Sequence, residues 1–189
     1  MKVNTMNIAK EWIKNHITEG SVCVDATAGR GNDTVFLCEL VGDKGKVYAF
    51  DIQEEAVEST KNLIKSKNLS AEIFHDSHIN MNKYIGKETV DGIMFNFGYL
   101  PGGDHTKSTS AQTSIKAIEV GLELLRPGAV MCLCVYHGGD TGFEEKDAIL
   151  KYIKQLDYKK YTVGVCELYN KPNNPPISVI IQKNNSSIQ

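Results

Sequence analysis

The sequence contains no stretch approaching the roughly 20 consecutive apolar residues of a membrane-spanning helix, which argues against an integral helical membrane protein. Its first segment, Met1 to Ile17, is interrupted by Lys10, Glu11 and Lys14, so it lacks the continuous apolar stretch of a secretory signal, and a cytoplasmic location is expected. The five cysteines, Cys23, Cys38, Cys132, Cys134 and Cys166, form neither a CxxC nor a Cys/His ligand spacing. A zinc site is therefore not expected, and buried thiols in a reducing compartment are. An excess of charge of one sign is also missing: 21 Lys and Arg face 23 Asp and Glu, for a net charge of −2. No overall field would draw in a polyanion, so any contact with nucleic acid must depend on a local basic patch and on stacking. Repeats and linkers are absent too, and residues 1–183 read as one domain followed by a polar tail, 184–189, expected to fray.

What is present is a regular alternation. Short β-rich runs are interleaved with helical patterns, the mark of a sheet built from βα units. Seven strands are predicted: Val22–Asp25, Lys46–Asp51, Glu72–Asp76, Gly92–Asn96, Val130–Tyr136, Tyr161–Leu168 and Ile177–Lys183. Ile115, Ile118, Leu122 and Leu125 recur at helical spacing, and Pro127-Gly128 should close their helix. A further helix is predicted from Thr141, with Glu144 completing a capping box and Ile149, Ile153 and Leu156 forming its stripe. A helix over Met6 to Ile17 should pack on the sheet as an N-terminal addition. The last two strands are joined only by a Pro/Asn loop, Tyr169 to Pro176, too short for a helical crossover, so they must run antiparallel. An α/β fold with helices on both faces of a seven-stranded, mostly parallel sheet ending in an antiparallel hairpin is the Rossmann-like arrangement of class I methyltransferases.

The strongest local signal is Asp25-Ala-Thr-Ala-Gly29-Arg-Gly31-Asn-Asp33-Thr34, set between the first strand and the helical run Val35, Phe36, Leu37 and Leu40. Glycines there permit positive φ and close backbone approach to a ligand, and the helix start offers free N–H groups. In a dinucleotide site those groups face a pyrophosphate, which a carboxylate just ahead of the glycines would repel. Asp25 suits instead a ligand bearing an ammonium and a sulfonium, and S-adenosylmethionine is favoured over NAD. Thr27, Gly29, Gly31, Asn32 and Asp33 complete the predicted cofactor loop. Twenty positions beyond Gly31, Asp51 closes the second strand where a carboxylate can accept from ribose hydroxyls in either kind of protein, with Ile52 against the adenine and Gln53 beside it.

Past the third strand lies His75-Asp-Ser-His78. Asp76 could accept from an adenine amino group and Ser77 and His78 could add polar contacts, while capping of the next helix by Asp76 or Ser77 stands level with that reading. The fourth strand leads into Asn96-Phe-Gly-Tyr99-Leu100-Pro101-Gly102-Gly-Asp-His105. Transfer from a sulfonium needs the acceptor lone pair aligned with the methyl group, so orientation is the main service a protein can provide. An Asn side-chain oxygen can take the N–H bonds of an amine, and Asn-Phe-Gly-Tyr resembles the Asn-Pro-Pro-Tyr motif of amino-group methyltransferases. Asn96 and Tyr99 are thus the catalytic candidates, with Tyr99 also able to stack on an extruded base. Leu100, Pro101, Gly102, His105, Tyr136 and His137 are candidates for the substrate side, though His137 reads equally as a structural residue beside a Gly-Gly turn. Lys61, Lys65, Lys107, Lys116, Lys159, Lys160 and Lys171 are candidate RNA contacts, most of them expected to be merely solvated.

Taken together, these motifs resemble a bacterial family of tRNA (5-aminomethyl-2-thiouridine) methyltransferases, formerly described as rRNA methylases. The resemblance covers essentially the whole chain, and Gly98-Tyr-Leu-Pro-Gly-Gly103 is its most specific part. It implies methyl transfer from S-adenosylmethionine to the aminomethyl nitrogen of the wobble uridine in the anticodon loop of tRNA. A primary alkyl amine needs only to lose a proton and be aimed, so neither a metal nor a covalent nucleophile is called for. Exposed aromatic segments leave room for a homodimer. The alternatives are a methyltransferase acting on rRNA, a protein or a small molecule, an NAD-dependent oxidoreductase, and a cofactor-binding module without catalysis.

Overall fold

The structure is a computed structural model and is described for residues 4–97, 110–136 and 139–185, with the side chains of residues 139–142 left aside. Seven strands form one sheet: β1 (Val22–Asp25), β2 (Lys46–Asp51), β3 (Glu72–His75), β4 (Val90–Phe97), β5 (Leu125–Val135), β6 (Tyr161–Cys166) and β7 (Ile177–Lys183). Their order across the sheet is β3-β2-β1-β4-β5-β7-β6. Pairings from β3 through to β5 are parallel, and β7 is antiparallel to both β5 and β6. The mostly parallel sheet with its antiparallel C-terminal hairpin is therefore as predicted. β7 inserts between β5 and β6, an order that the hairpin signal alone does not specify.

Among the described residues five helices, α1 (Thr5–Lys14), α2 (Asn32–Val41), α3 (Glu54–Ser66), α4 (Ala111–Leu124) and α5 (Gly139–Ile153), are joined by a 3-10 helix at His78–Lys83. Because side chains alternate across a strand, each central strand feeds two cores. Ile93, Phe95, Phe97, Met131, Leu133 and Val135 pack with Met81, Ile118, Ile149 and Ile153 on the α4/α5 side. Cys23, Met94, Val130, Cys132 and Cys134 pack with Ala9, Ile13, Leu37, Cys38 and Ile64 on the α1/α2/α3 side. Four of the five thiols are buried and the fifth, Cys166, is half-buried. Asn96, two residues on from Met94, shares the parity of the α1/α2 side, and this places its amide.

Three local expectations need correction. Leu125 lies outside the helix it was assigned to: α4 ends at Leu124, and Leu125 turns to φ −62°, ψ 131° and pairs with Val90 at the start of β5. Pro127-Gly128 does not close the helix but sits in an irregular stretch of β5, where the pairing jumps from Val90 with Leu125 to Gly92 with Val130 and Gly128 takes φ +83°. Thr141 is not an N-cap, because α5 already begins at Gly139. The stripe through Ile149 and Ile153 anchors that helix in the core, and the local capping signal does not stop it from extending two residues further. A capping box does occur in α4, where Ser110 accepts from the Thr113 N–H and the Thr113 hydroxyl accepts from the Ser110 N–H. Among the described residues no helix is long and apolar enough to cross a membrane, and no cluster of His, Cys, Asp and Glu could hold a metal ion.

Candidate active site at the centre of the sheet

β1 and β4 are neighbours, yet the chain leaves β1 toward β2 and β3 on one side and leaves β4 toward β5 on the other. Their carboxyl ends thus form a topological switch point, where the loops diverge and open a crevice. The loop after β1 is laced across that point. Ala26 N–H donates to Met94 O of β4 at 2.9 Å, and Ala28 N–H donates to Phe50 O of β2 at 2.9 Å. Gly29 N–H donates to Asp51 Oδ2 at 2.9 Å, while the Thr60 hydroxyl of α3 reaches Gly29 O at 3.2 Å. Gly29 and Gly31 adopt φ of +53° and +82°, a region costly for residues with a Cβ. A Cβ on Gly31 would also come within 3.0 Å of the Thr60 backbone. The glycine spacing thus reflects a real constraint: the loop must turn left-handed while pressed on α3.

Asp25 lies beneath this loop and not at its surface. It is fully buried; its Oδ2 accepts the Thr34 hydroxyl at 2.6 Å and its Oδ1 accepts the Thr27 N–H at 3.2 Å. Burial, then the nearby Asp33, push its carboxyl up to about 7 against the pull of those two bonds. No lysine or arginine among the described residues pairs with it. A cationic ligand arriving above the loop would act on this carboxylate through the field and through the loop it organises.

Asp51 ends β2 half-buried, with one backbone bond to each oxygen: Gly29 N–H on Oδ2 and Gln53 N–H on Oδ1, each at 2.9 Å. Each oxygen keeps a further lone pair for a hydroxyl. Ile52 beside it is 47% exposed, an apolar side chain left uncovered next to the carboxylate. Asn32, exposed, opens α2, whose N-cap Gly31 supplies no side-chain bond, so the first helical N–H groups remain uncapped.

The turn after β3 behaves differently. Asp76 accepts from Ser77 N–H, Asn80 Nδ2 and Tyr84 Oη, which together hold its carboxyl below the usual range. Ser77 caps the 3-10 helix through Ile79 N–H. Ser77 is thus the helix cap, while the Asp76 carboxylate is bonded within the same turn and to Tyr84. His78 is buried against Phe95 and Phe97 and bonded to the Ala26 backbone; burial lowers its pKa to about 4, so it is neutral. Its Nε2 has no partner among the described residues.

Asn96 is tied at two points and left open at a third. Its backbone N–H donates to the Thr27 hydroxyl at 2.7 Å, fixing β4 to the glycine loop. Its Nδ2 donates to Asp33 Oδ2 at 2.6 Å, and Asp33 Oδ1 pairs with Lys10 Nζ of α1 at 2.6 Å. Its Oδ1 is shielded from solvent and has no partner among the described residues. Leaving such an acceptor unpaired costs about 1–3 kcal/mol, a cost usually tolerated only for a purpose. Tyr136 joins the same end of the sheet through its N–H to Phe97 O at 3.1 Å, and its phenol is raised by burial and by nearby Cys134 and Asp33.

The switch point therefore gathers Asp25, Thr27, Gly29, Gly31, Asn32, Asp33, Asp51, Gln53, Asn96 and Tyr136, with His78 underneath. Tyr99, Leu100, Pro101, Gly102, His105 and His137 lie outside the described residues, as does Lys107. Sequence reasoning overlooked Thr34, Thr60 and Lys10. A hydroxyl in the first turn of α2 could have flagged Thr34, but Thr60 and Lys10 come from helices with no local motif.

A family model described as "Putative rRNA methylase" matches residues 47–182. The chain belongs to this family. A chloroplastic tRNA (mnm5s2U34)-methyltransferase of Arabidopsis thaliana is 31% identical over 180 residues, which cover 89% of this chain and 66% of that protein. A crystal structure from Clostridium thermocellum, titled a "putative rRNA-methylase", superposes with a TM-score of 0.94 at 43% identity, covering 97% of this chain and 99% of the other. A Streptococcus mutans "putative methyltransferase" solved in complex with SAH superposes with a TM-score of 0.88 at 35% identity, over 97% and 99% of the two chains.

Proposed function

We propose that this chain is an S-adenosylmethionine-dependent methyltransferase that methylates the exocyclic aminomethyl nitrogen of the modified wobble uridine in the anticodon loop of tRNA. The cofactor class rests on the fit of the glycine loop and on the SAH complex of the S. mutans relative. The substrate rests on the name of the Arabidopsis relative and on the amide at the end of β4. S-adenosylmethionine supplies an electrophilic methyl group on a sulfonium; the residues of the chain bind and aim.

Asp51 receives the ribose hydroxyls on its free lone pairs, with Ile52 beneath the adenine. The uncapped start of α2 at Asn32 and the glycine loop hold the amino-acid end, while the buried negative charge of Asp25 favours a cationic ligand. The observation that carries the reaction type is the division of labour within the Asn96 amide. One of its two Nδ2–H groups is held by Asp33, which turns the oxygen to the other side to accept from an incoming N–H and so aims an amine lone pair in a fixed direction. Tyr136 stands at the same end of the sheet on the base side, and Tyr99, which lies outside the described residues, is the sequence candidate for stacking on the base. The same reading places the enzyme in the cytoplasm with its tRNA, and a homodimer is part of it.

The experiment is to incubate the protein with labelled S-adenosylmethionine and separate pools of tRNA, rRNA and protein taken from a strain that lacks it. Label in the wobble nucleoside of tRNA is the expected result. Label confined to rRNA would favour the older family description, and label in protein alone would reject RNA altogether. Thermal protection by S-adenosylmethionine and not by NADH is the matching result for the cofactor.

A further inference from the structure

We infer that Lys10 of α1 is a positioning residue for methyl transfer, acting through Asp33 to fix which end of the Asn96 amide faces the acceptor. The inference rests on the role given to Asn96 above and adds a source for its orientation. An Asn amide is nearly symmetric in shape, so its oxygen and nitrogen exchange places by a half-turn of the side chain. Something must decide between the two.

Here Asp33 does so. An ionised carboxylate accepts and cannot donate, so the amide end facing it must be Nδ2, and the 2.6 Å separation to Oδ2 is that of a strong bond. Asp33 stands in the first turn of α2, and its side chain is only 11% exposed. Its other oxygen is held by Lys10 Nζ at 2.6 Å, and the ammonium in turn lies 5.0 Å from the Phe36 ring centroid of α2. Lys10 thus ties α1 to α2, its ammonium held by two α2 side chains. Its effect is to prevent the Asp33 carboxylate from rotating away from Asn96. α1 is thereby more than a cover for the sheet: Ala9 and Ile13 pack it down, and the residue between them on the next face reaches the site.

The test compares Lys10→Met, Lys10→Arg, Asp33→Asn and Asn96→Ala in the full chain, with three readouts. The first is turnover on tRNA from a strain lacking the protein. Lys10→Met and Asp33→Asn should each lower kcat by about tenfold or more; for Lys10→Met, KM and S-adenosylmethionine affinity should change by less than about threefold, and Lys10→Arg should recover part of the loss. The second is the double variant: in an Asn96→Ala background Lys10→Met should cost nothing further, because the two act in series. The third needs no substrate. The Asn96 side-chain 15N–1H pair, assigned by its loss in Asn96→Ala, should be shifted by its charged acceptor in the parent and move in both Lys10→Met and Asp33→Asn.

Full kcat in a folded Lys10→Met, or additive losses in the double variant, would overturn the inference while leaving Asn96 as the aiming residue. An unshifted amide signal in Lys10→Met would do the same. Full kcat in Asn96→Ala would instead sink the proposed function, whatever the amide spectrum shows. Should Lys10→Met melt early, Lys10→Arg and the spectrum decide.

Discussion

Two buried aspartates stand at opposite ends of the same pair of central strands. At the amino end, Asp91 of β4 accepts the Val22 N–H at 2.7 Å and pairs with the Arg126 guanidinium. At the carboxyl end, Asp25 of β1 is more deeply buried, has only a hydroxyl and an N–H for company, and sits close to Asp33 and Asp51. One carboxylate has its cation built in; the other is held in a negative neighbourhood that a cationic ligand would complete. Both are aspartates and both count as buried, so neither residue type nor burial alone distinguishes structure from function. What separates them is whether the charge is already answered within the chain.

The contrast can be broken or sharpened by substitution. Asn96→Ala, at the carboxyl end, should leave cofactor affinity within about threefold and cut turnover on the order of 100-fold, since an acceptor that is bound but not aimed reacts poorly. Isothermal titration beside a single-turnover assay reads both, and equal loss of the two would make Asn96 a structural residue. Asp91→Ala, at the amino end, should do the reverse: unfolding stability drops by roughly 1–3 kcal/mol because the Val22 N–H loses its acceptor, while activity per folded molecule is unchanged. Denaturant titration with a parallel turnover measurement distinguishes these outcomes.

Asp25→Asn gives a smaller, pH-dependent effect. The Asp25 pKa rises on folding from the ordinary carboxylate range near 4 to about 7, so its contribution to stability is full below about pH 4 and disappears as pH rises to about 7. The stability of the parent relative to Asp25→Asn should therefore decline steadily over that window. His78, whose pKa falls to about 4, works in the opposite direction between about pH 6.5 and 4 but is common to both proteins and cancels in the difference. Melting curves across the range, with and without S-adenosylmethionine, are the measurement; the cofactor should also bind the parent more tightly as pH passes 7, and Asp25→Asn should lose that trend. The smallest effect belongs to the hairpin far from either aspartate. A Cβ on Gly164 of β6 meets nothing within 4 Å, so Gly164→Ala should be neutral or stabilising by about 0.5 kcal/mol, with activity intact.

Much of the fold was readable because its signals are local. β1, β2 and β7 were placed residue for residue, and the eight-residue Pro/Asn loop Tyr169 to Pro176 left the chain no route but an antiparallel return. The glycine loop was readable for the same reason, since left-handed backbone at Gly29 and Gly31 restricts the residue type at each position. Leu125 was misread because its apolar side chain continues the helical stripe of α4, while the backbone turns there to pair with Val90. Thr141 was misread because capping chemistry is a weak local preference beside the packing of a whole helix. Asp76 illustrates a third kind of limit: cofactor contact and helix capping read as level from the sequence, and what holds the carboxylate includes Tyr84, eight residues away.

The order of residues by itself determined that this chain forms a mostly parallel sheet with a reversed final hairpin, that its first loop turns left-handed at glycines, and that Asn96 lies near the carboxyl end of the fourth strand. Alternation, turn residues and glycine spacing act over a few positions, so they can be read one segment at a time. Only the tertiary structure decided that Asp25 faces inward, that the Asn96 nitrogen is taken by Asp33, and that a lysine 86 positions before that asparagine completes the chain of contacts. Those outcomes depend on which strands become neighbours and which face of α1 lies over their ends, and electrostatic partners brought together across such distances leave no mark in the sequence around either one.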